Sequence, residues 1–195
     1  MDIAVLIGGR NYSADCPLLY YAGAILRRSG FQTVKISYGS DIRGRTDISI
    51  PERIELAKPE VLDALKAIDF SLYHRIVFVS KSMGTVLAGY AAEQLGISPE
   101  QVFLTPLEGT LRYMNGSCIS LSGDMDAYLE PAVLEEYCRK NNITYKIYGG
   151  VGHSLESSDN KETFRIIGEI ADFYSALAAE NINIAGKMFK CKKEE

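Results

Sequence analysis

Two kinds of side chain that mark common function classes are scarce in this chain. Among 195 residues there are only two histidines, His74 and His153. Acid–base chemistry through imidazole therefore has two candidate groups. Positive charge is not in excess: 21 Lys and Arg stand against 25 Asp and Glu, a formal net charge of −4. A nucleic-acid partner needs a basic face to neutralise phosphates, so none is expected. Long apolar runs are missing too. The run at residues 3–7 falls far short of the roughly 20 residues of a membrane-spanning helix, and is too short for a signal peptide. No membrane partner and a cytoplasmic location are expected. The four cysteines, Cys16, Cys118, Cys138 and Cys191, include no CxxC pair, which leaves out zinc-ribbon and thioredoxin-like motifs. They read as reduced thiols of a cytosolic protein, and no metal site is expected.

What is present is the material of one packed domain. Hydrophobic residues make up 47% of the chain, and 17 glycines supply tight turns. A chain of this size buries roughly 70% of the surface its unfolded form exposes, enough for one core. Short apolar runs at 3–7, 33–38, 75–80, 101–105, 117–121 and 144–148 read as strands. Helical patterns lie at 18–29, 59–72, 82–95, 130–140 and 163–179. The polar stretch 39–51, with Arg43 and Arg45, reads as a loop. Strand and helix alternate throughout, the pattern of a parallel sheet covered by helices on both faces, a three-layer α/β/α sandwich. In such sheets ligands bind beyond the carboxyl ends of the strands.

Three of those strand ends carry chemistry. The third reads Ser80-Lys81-Ser82-Met83-Gly84, a strand-to-helix turn of the nucleophile-elbow type G-x-S-x-G, with serine in place of the first glycine. The bland reading is that Ser82 caps the helix that follows. A phosphate-binding loop is poorly matched, because Arg75 and Ser80 stand where its two glycines belong. The fifth strand ends in Gly123-Asp124-Met125-Asp126, which taken alone suits an Asp-rich turn. After the sixth comes Gly149-Gly150-Val151-Gly152-His153, a glycine-rich loop able to aim a side chain. Together they give the chain order Ser…Asp…His at one sheet edge. His74 precedes the third strand and belongs at the opposite edge.

On those motifs residues 1–180 resemble a small α/β-hydrolase, similar to the compact lidless esterases and dienelactone-hydrolase-like members, with 181–195 left as a solvated tail. The resemblance implies six parallel strands in the order 2-1-3-4-5-6. It also implies a Ser82–His153–Asp126 triad, with Asp126 preferred over Asp124 for its spacing after glycine. The oxyanion hole falls to the Met83 amide and one from Gly9 or Arg10. The activity implied is serine hydrolysis of an acyl ester, thioester or related bond through an acyl-enzyme, without a cofactor, by a monomer or homodimer. Asn11, Leu107, Tyr113 and Met114 are expected to line the substrate pocket. Arg10 is expected either to pair with Asp15 or to meet an acidic substrate group. A ligand-binding protein without activity on the same fold is the alternative.

Overall fold

The computed structural model describes residues 1–39 and 45–189; Arg43 and Cys191 lie outside them. Six strands form a single parallel sheet: β1 (Asp2–Ile7), β2 (Phe31–Ile36), β3 (Arg75–Lys81), β4 (Glu100–Leu104), β5 (Cys118–Gly123) and β6 (Thr144–Tyr148). Their spatial order is β2-β1-β3-β4-β5-β6, as expected. Successive side chains of a strand point to opposite faces. In β1, Ala4 and Leu6 join the core on one side of the sheet, while Ile3, Val5 and Ile7 join the other. The first side is closed by helices α1 (Pro17–Arg28) and α5 (Asn160–Ala179). The second is closed by α2 (Ile50–Lys66), α3 (Met83–Leu95) and α4 (Pro131–Lys140). Because both faces are covered, β1 is apolar on both.

Two element boundaries differ from the sequence reading. Helix α2 begins at Ile50, inside the stretch read as a loop, and Pro59 lies within it rather than at its start. Ser49 and Glu52 form a capping box: each side chain serves the other's backbone N–H, and a proline follows in the first turn. That signal outweighs a single internal proline. The predicted helix end at Leu72 is a 3-10 turn, and Leu72 is exposed. At the other end, part of the segment read as a solvated tail packs onto the core. Ile182 and Ala185 are buried, and the Phe189 ring lies 4.9 Å from that of Phe173. These apolar side chains extend the core beside α5, so the expected tail does not begin before residue 190. His74 is exposed beside the N-terminus, at the edge opposite the strand ends that carry Ser82 and His153.

The chain runs from β1 outward to β2, then returns to the other side of β1 for β3. Where the order reverses, the loops after β1 and β3 diverge and leave a crevice. The Gly9 loop and Ser82 meet there.

Candidate active site

Ser82 stands alone between β3 and α3 with φ 54° and ψ −127°. A non-glycine residue in this region costs of order 1–3 kcal/mol and persists only when its surroundings hold it there. Its hydroxyl makes no capping bond to α3, which removes the helix-cap reading. Small residues hold the turn. A Cβ on Gly84 would lie 2.3 Å from the Gly8 carbonyl oxygen, and one on Gly9 would lie 2.9 Å from the Ser82 Cβ. Ser80, the departure from the usual pattern, is fully buried with its hydroxyl turned toward the Val102 carbonyl 3.5 Å away. The turn therefore tolerates the extra Cβ at this position.

The Ser82 hydroxyl reaches His153 Nε2 at 2.7 Å. His153 Nδ1 lies 2.9 and 3.0 Å from the two carboxylate oxygens of Asp126. An ionised carboxylate only accepts, so Nδ1 carries the proton and Nε2 accepts from Ser82. Burial pushes the Asp126 carboxyl up. Hydrogen bonds from His153, the Tyr128 N–H and the Ser122 hydroxyl outweigh it and hold the carboxyl below its ordinary value. Asp124 plays a different part. It accepts from the Gly150 N–H at 2.8 Å and so ties down the loop that bears His153. Gly123 lets the two loops touch, since a Cβ there would meet the Val151 carbonyl oxygen at 2.0 Å. The Tyr128 ring covers the imidazole with 4.4 Å between centroids.

Lys81, beside Ser82, has no role in the sequence reading. It is 2% exposed, and its ammonium donates to Thr105 Oγ1 and to the His153 carbonyl, both at 2.6 Å. A lysine closing an apolar strand is the available signal. Burial lowers its pKa from 10.5 to about 8, against an opposing pull from Asp126. Below about pH 8 the folded and unfolded chains both carry the charge, and the burial penalty is fully present. Between there and 10.5 the unfolded chain binds a proton that the folded chain has shed, so stability rises with pH. Native protein should gain on the order of 2–3 kcal/mol over Lys81→Met across that window. Denaturant melts of both proteins from pH 7 to pH 10 check this, and a constant difference between them would refute it.

The Met83 and Arg10 N–H groups, both of residues that line the cleft, have no hydrogen-bond partner among the described residues. Met83 opens α3, where the first N–H groups have no partner within the helix. For the second, Gly9 and Arg10 are both expected. The Gly9 N–H already donates to the Tyr12 carbonyl at 2.8 Å, which leaves Arg10.

Asn11 lines the cleft, together with Gly9, Arg10, Tyr12, Ile50, Lys81, Ser82, Met83, Tyr128, His153 and Ser154. The other three expected lining residues do not. Leu107 and Met114 are buried in the core on the side of α3. Tyr113 packs on Gly89 and borders a separate hollow with Glu93 and Ser117. The segment between β4 and β5 folds down onto α3, so it does not wall the cleft. Ile50, at the start of α2, stands there instead. Among the described residues no group of three or more His, Cys, Asp or Glu side chains is placed to hold a metal ion. No described helix is long and apolar enough to cross a membrane.

No protein-family model matches the chain, and no curated protein matches its sequence. Solved structures do match its fold. An α/β serine hydrolase without a lid from Xanthomonas campestris is 14% identical, with a TM-score of 0.61 over 88% of this chain and 79% of that one. Est1E from Butyrivibrio proteoclasticus, solved with ferulic acid bound, is 12% identical, with a TM-score of 0.63 over 92% and 90%. An α/β serine hydrolase homologue from Coxiella burnetii is 12% identical, with a TM-score of 0.61 over 88% and 84%. At such identities the likeness establishes the architecture, which is the α/β-hydrolase fold.

Proposed function

We propose that this chain is a serine hydrolase that cleaves an acyl ester, thioester or related bond in a small substrate. The observation that carries the reading is Ser82. It is held at positive φ, makes no capping bond, and reaches the Nε2 of a histidine that is itself seated on a buried carboxylate. A serine that only capped the start of a helix has no use for that strain. The lidless hydrolase and the ferulate-bound protein of the same fold support the same class of chemistry.

The reaction runs in two halves. Ser82 Oγ attacks the acyl carbon as its proton passes to His153 Nε2. The carbonyl oxygen becomes an oxyanion facing the Met83 and Arg10 amides. Such a donor typically contributes about 3–4 kcal/mol to the transition state. The intermediate collapses, the bond to the alcohol or thiol breaks, and Nε2 returns the proton to that leaving group. Water then repeats the sequence on the acyl-enzyme and releases the acid and free Ser82. Asp126 holds the proton on Nδ1 and stabilises the imidazolium formed in each half. The steps need no metal or organic cofactor.

A fluorophosphonate probe reports the activated serine. Folded protein should take one adduct, mapped by mass spectrometry to Ser82, and lose labelling on denaturation. An unlabelled Ser82 in folded protein would refute the mechanism.

A further inference from the structure

Arg10 has no role in the proposed reaction beyond its backbone amide, yet it lines the cleft together with Ser82. Asp15, the acid expected to neutralise it, pairs with Lys35 instead. The Arg10 Nε is buried and has no hydrogen-bond partner among the described residues. Burying a charged donor without a partner is costly, so the position calls for a ligand. Among the described residues that line the cleft there is a second cation, Lys81, and no carboxylate. Lys81 is already committed to Thr105 and His153. One turn into α2 stands Arg53, 1% exposed. Burial first, and then the positive charge of Arg10, hold its guanidinium below the ordinary arginine value. Two guanidinium groups thus lie close enough to repel each other, with Asp47 pulling the other way on Arg53, an arrangement that a bound anion would relieve.

Resting on the serine-hydrolase reading, we infer that the substrate's acyl part carries an oxyanion, a carboxylate or a phosphate-type group, received by the Arg10 guanidinium. The arrangement around the acyl carbon gives the side. Its oxygen faces the Met83 and Arg10 amides, and the leaving group faces His153 Nε2. The remaining substituent is the acyl chain, the part left for the Arg10 side chain to meet. A short dicarboxylic acyl group, on the succinyl or glutaryl scale, suits a guanidinium that begins at the oxyanion site. The planar fork of arginine binds carboxylate and phosphate oxygens through paired N–H groups.

The test compares monoethyl glutarate and ethyl 3-phosphonopropanoate with neutral ethyl pentanoate, following acid release. The readout is the ratio of kcat/KM, anionic over neutral, on one protein, so a general loss of activity cancels. A charge-assisted pair predicts a native ratio of roughly 10 to 100. The ratio should fall toward one in Arg10→Gln and be partly kept in Arg10→Lys. Preference for the glutarate or for the phosphonate tells which oxyanion is the natural one. A native ratio of one or less, or a ratio unchanged in Arg10→Gln, overturns the inference. If no ester turns over and Ser82 takes no fluorophosphonate, the hydrolase reading has failed. Glutarate binding measured by calorimetry then decides for Arg10: weakening of about tenfold or more in Arg10→Gln sustains the anion site, and equal binding in both proteins overturns it.

Discussion

Replacing Ser82 by alanine should remove turnover almost completely, by about a million-fold in kcat, while leaving the protein folded and able to bind ester. The size follows from the role. Without Oγ there is no acyl-enzyme, and what remains is the field of the Met83 and Arg10 amides acting on bound water attack. His153→Ala should lose nearly as much, since Oγ then has no acceptor for its proton within reach. The two losses should not add, because either change disables the same step; the double variant should match the single ones within about tenfold. Ester turnover by the three variants, with KM followed separately, checks this. A Ser82→Ala protein that keeps more than a small fraction of native kcat would mean that another group is the nucleophile. Fully additive losses would mean that serine and histidine act apart.

Asp126→Asn should lower kcat by about ten-thousand-fold, with KM much less affected. An amide at this position donates as well as accepts. It can present its oxygen to Nδ1 only by turning its NH2 elsewhere, and the negative charge that stabilises the imidazolium is gone in either orientation. The Tyr128 N–H and the Ser122 hydroxyl both donate to the present carboxylate, so the shell is built for an acceptor and resists the amide. Asp124→Asn is the control. Its oxygen still accepts from Gly150 N–H, so kcat should stay within about tenfold of native. Parallel kinetics on the two variants separate neighbouring acids that the sequence places two residues apart. Equal losses would mean that Asp124 shares the orienting role.

Much of this site is legible before any coordinates. Ser82, Asp126 and His153 each follow a strand, and each lies within three residues of a glycine. Those are local signals, and the parallel topology carries all three to one edge. Other parts of the site have no local signal. Helix α2 starts at its capping box, a motif present in the sequence but overshadowed by Pro59, which hides Ile50 as a cleft wall. Leu107, Tyr113 and Met114 read as a pocket wall because they follow β4, the right edge of the sheet. Whether such a segment stands up or folds back depends on what it can pack against, and here Gly89 of α3 leaves room for the Tyr113 ring. The choice between Gly9 and Arg10 for the second amide turns on one hydrogen bond, from Gly9 to the Tyr12 carbonyl, between residues three apart in an irregular loop.

The sequence by itself determined the alternation of strands and helices, the sheet order through its resemblance, and the three side chains that follow strands β3, β5 and β6. It could do so because side-chain periodicity and turn chemistry act over a few residues, and strand ends inherit their position from topology. Only the tertiary structure decided that the Ser82 hydroxyl leaves the helix for His153, that Asp124 and Asp126 divide two roles, that Lys81 is buried against the His153 loop, and that Asp15 abandons Arg10 for Lys35. Each is a competition for partners among groups far apart in the chain, and its outcome depends on distances that exist only once the loops have packed together.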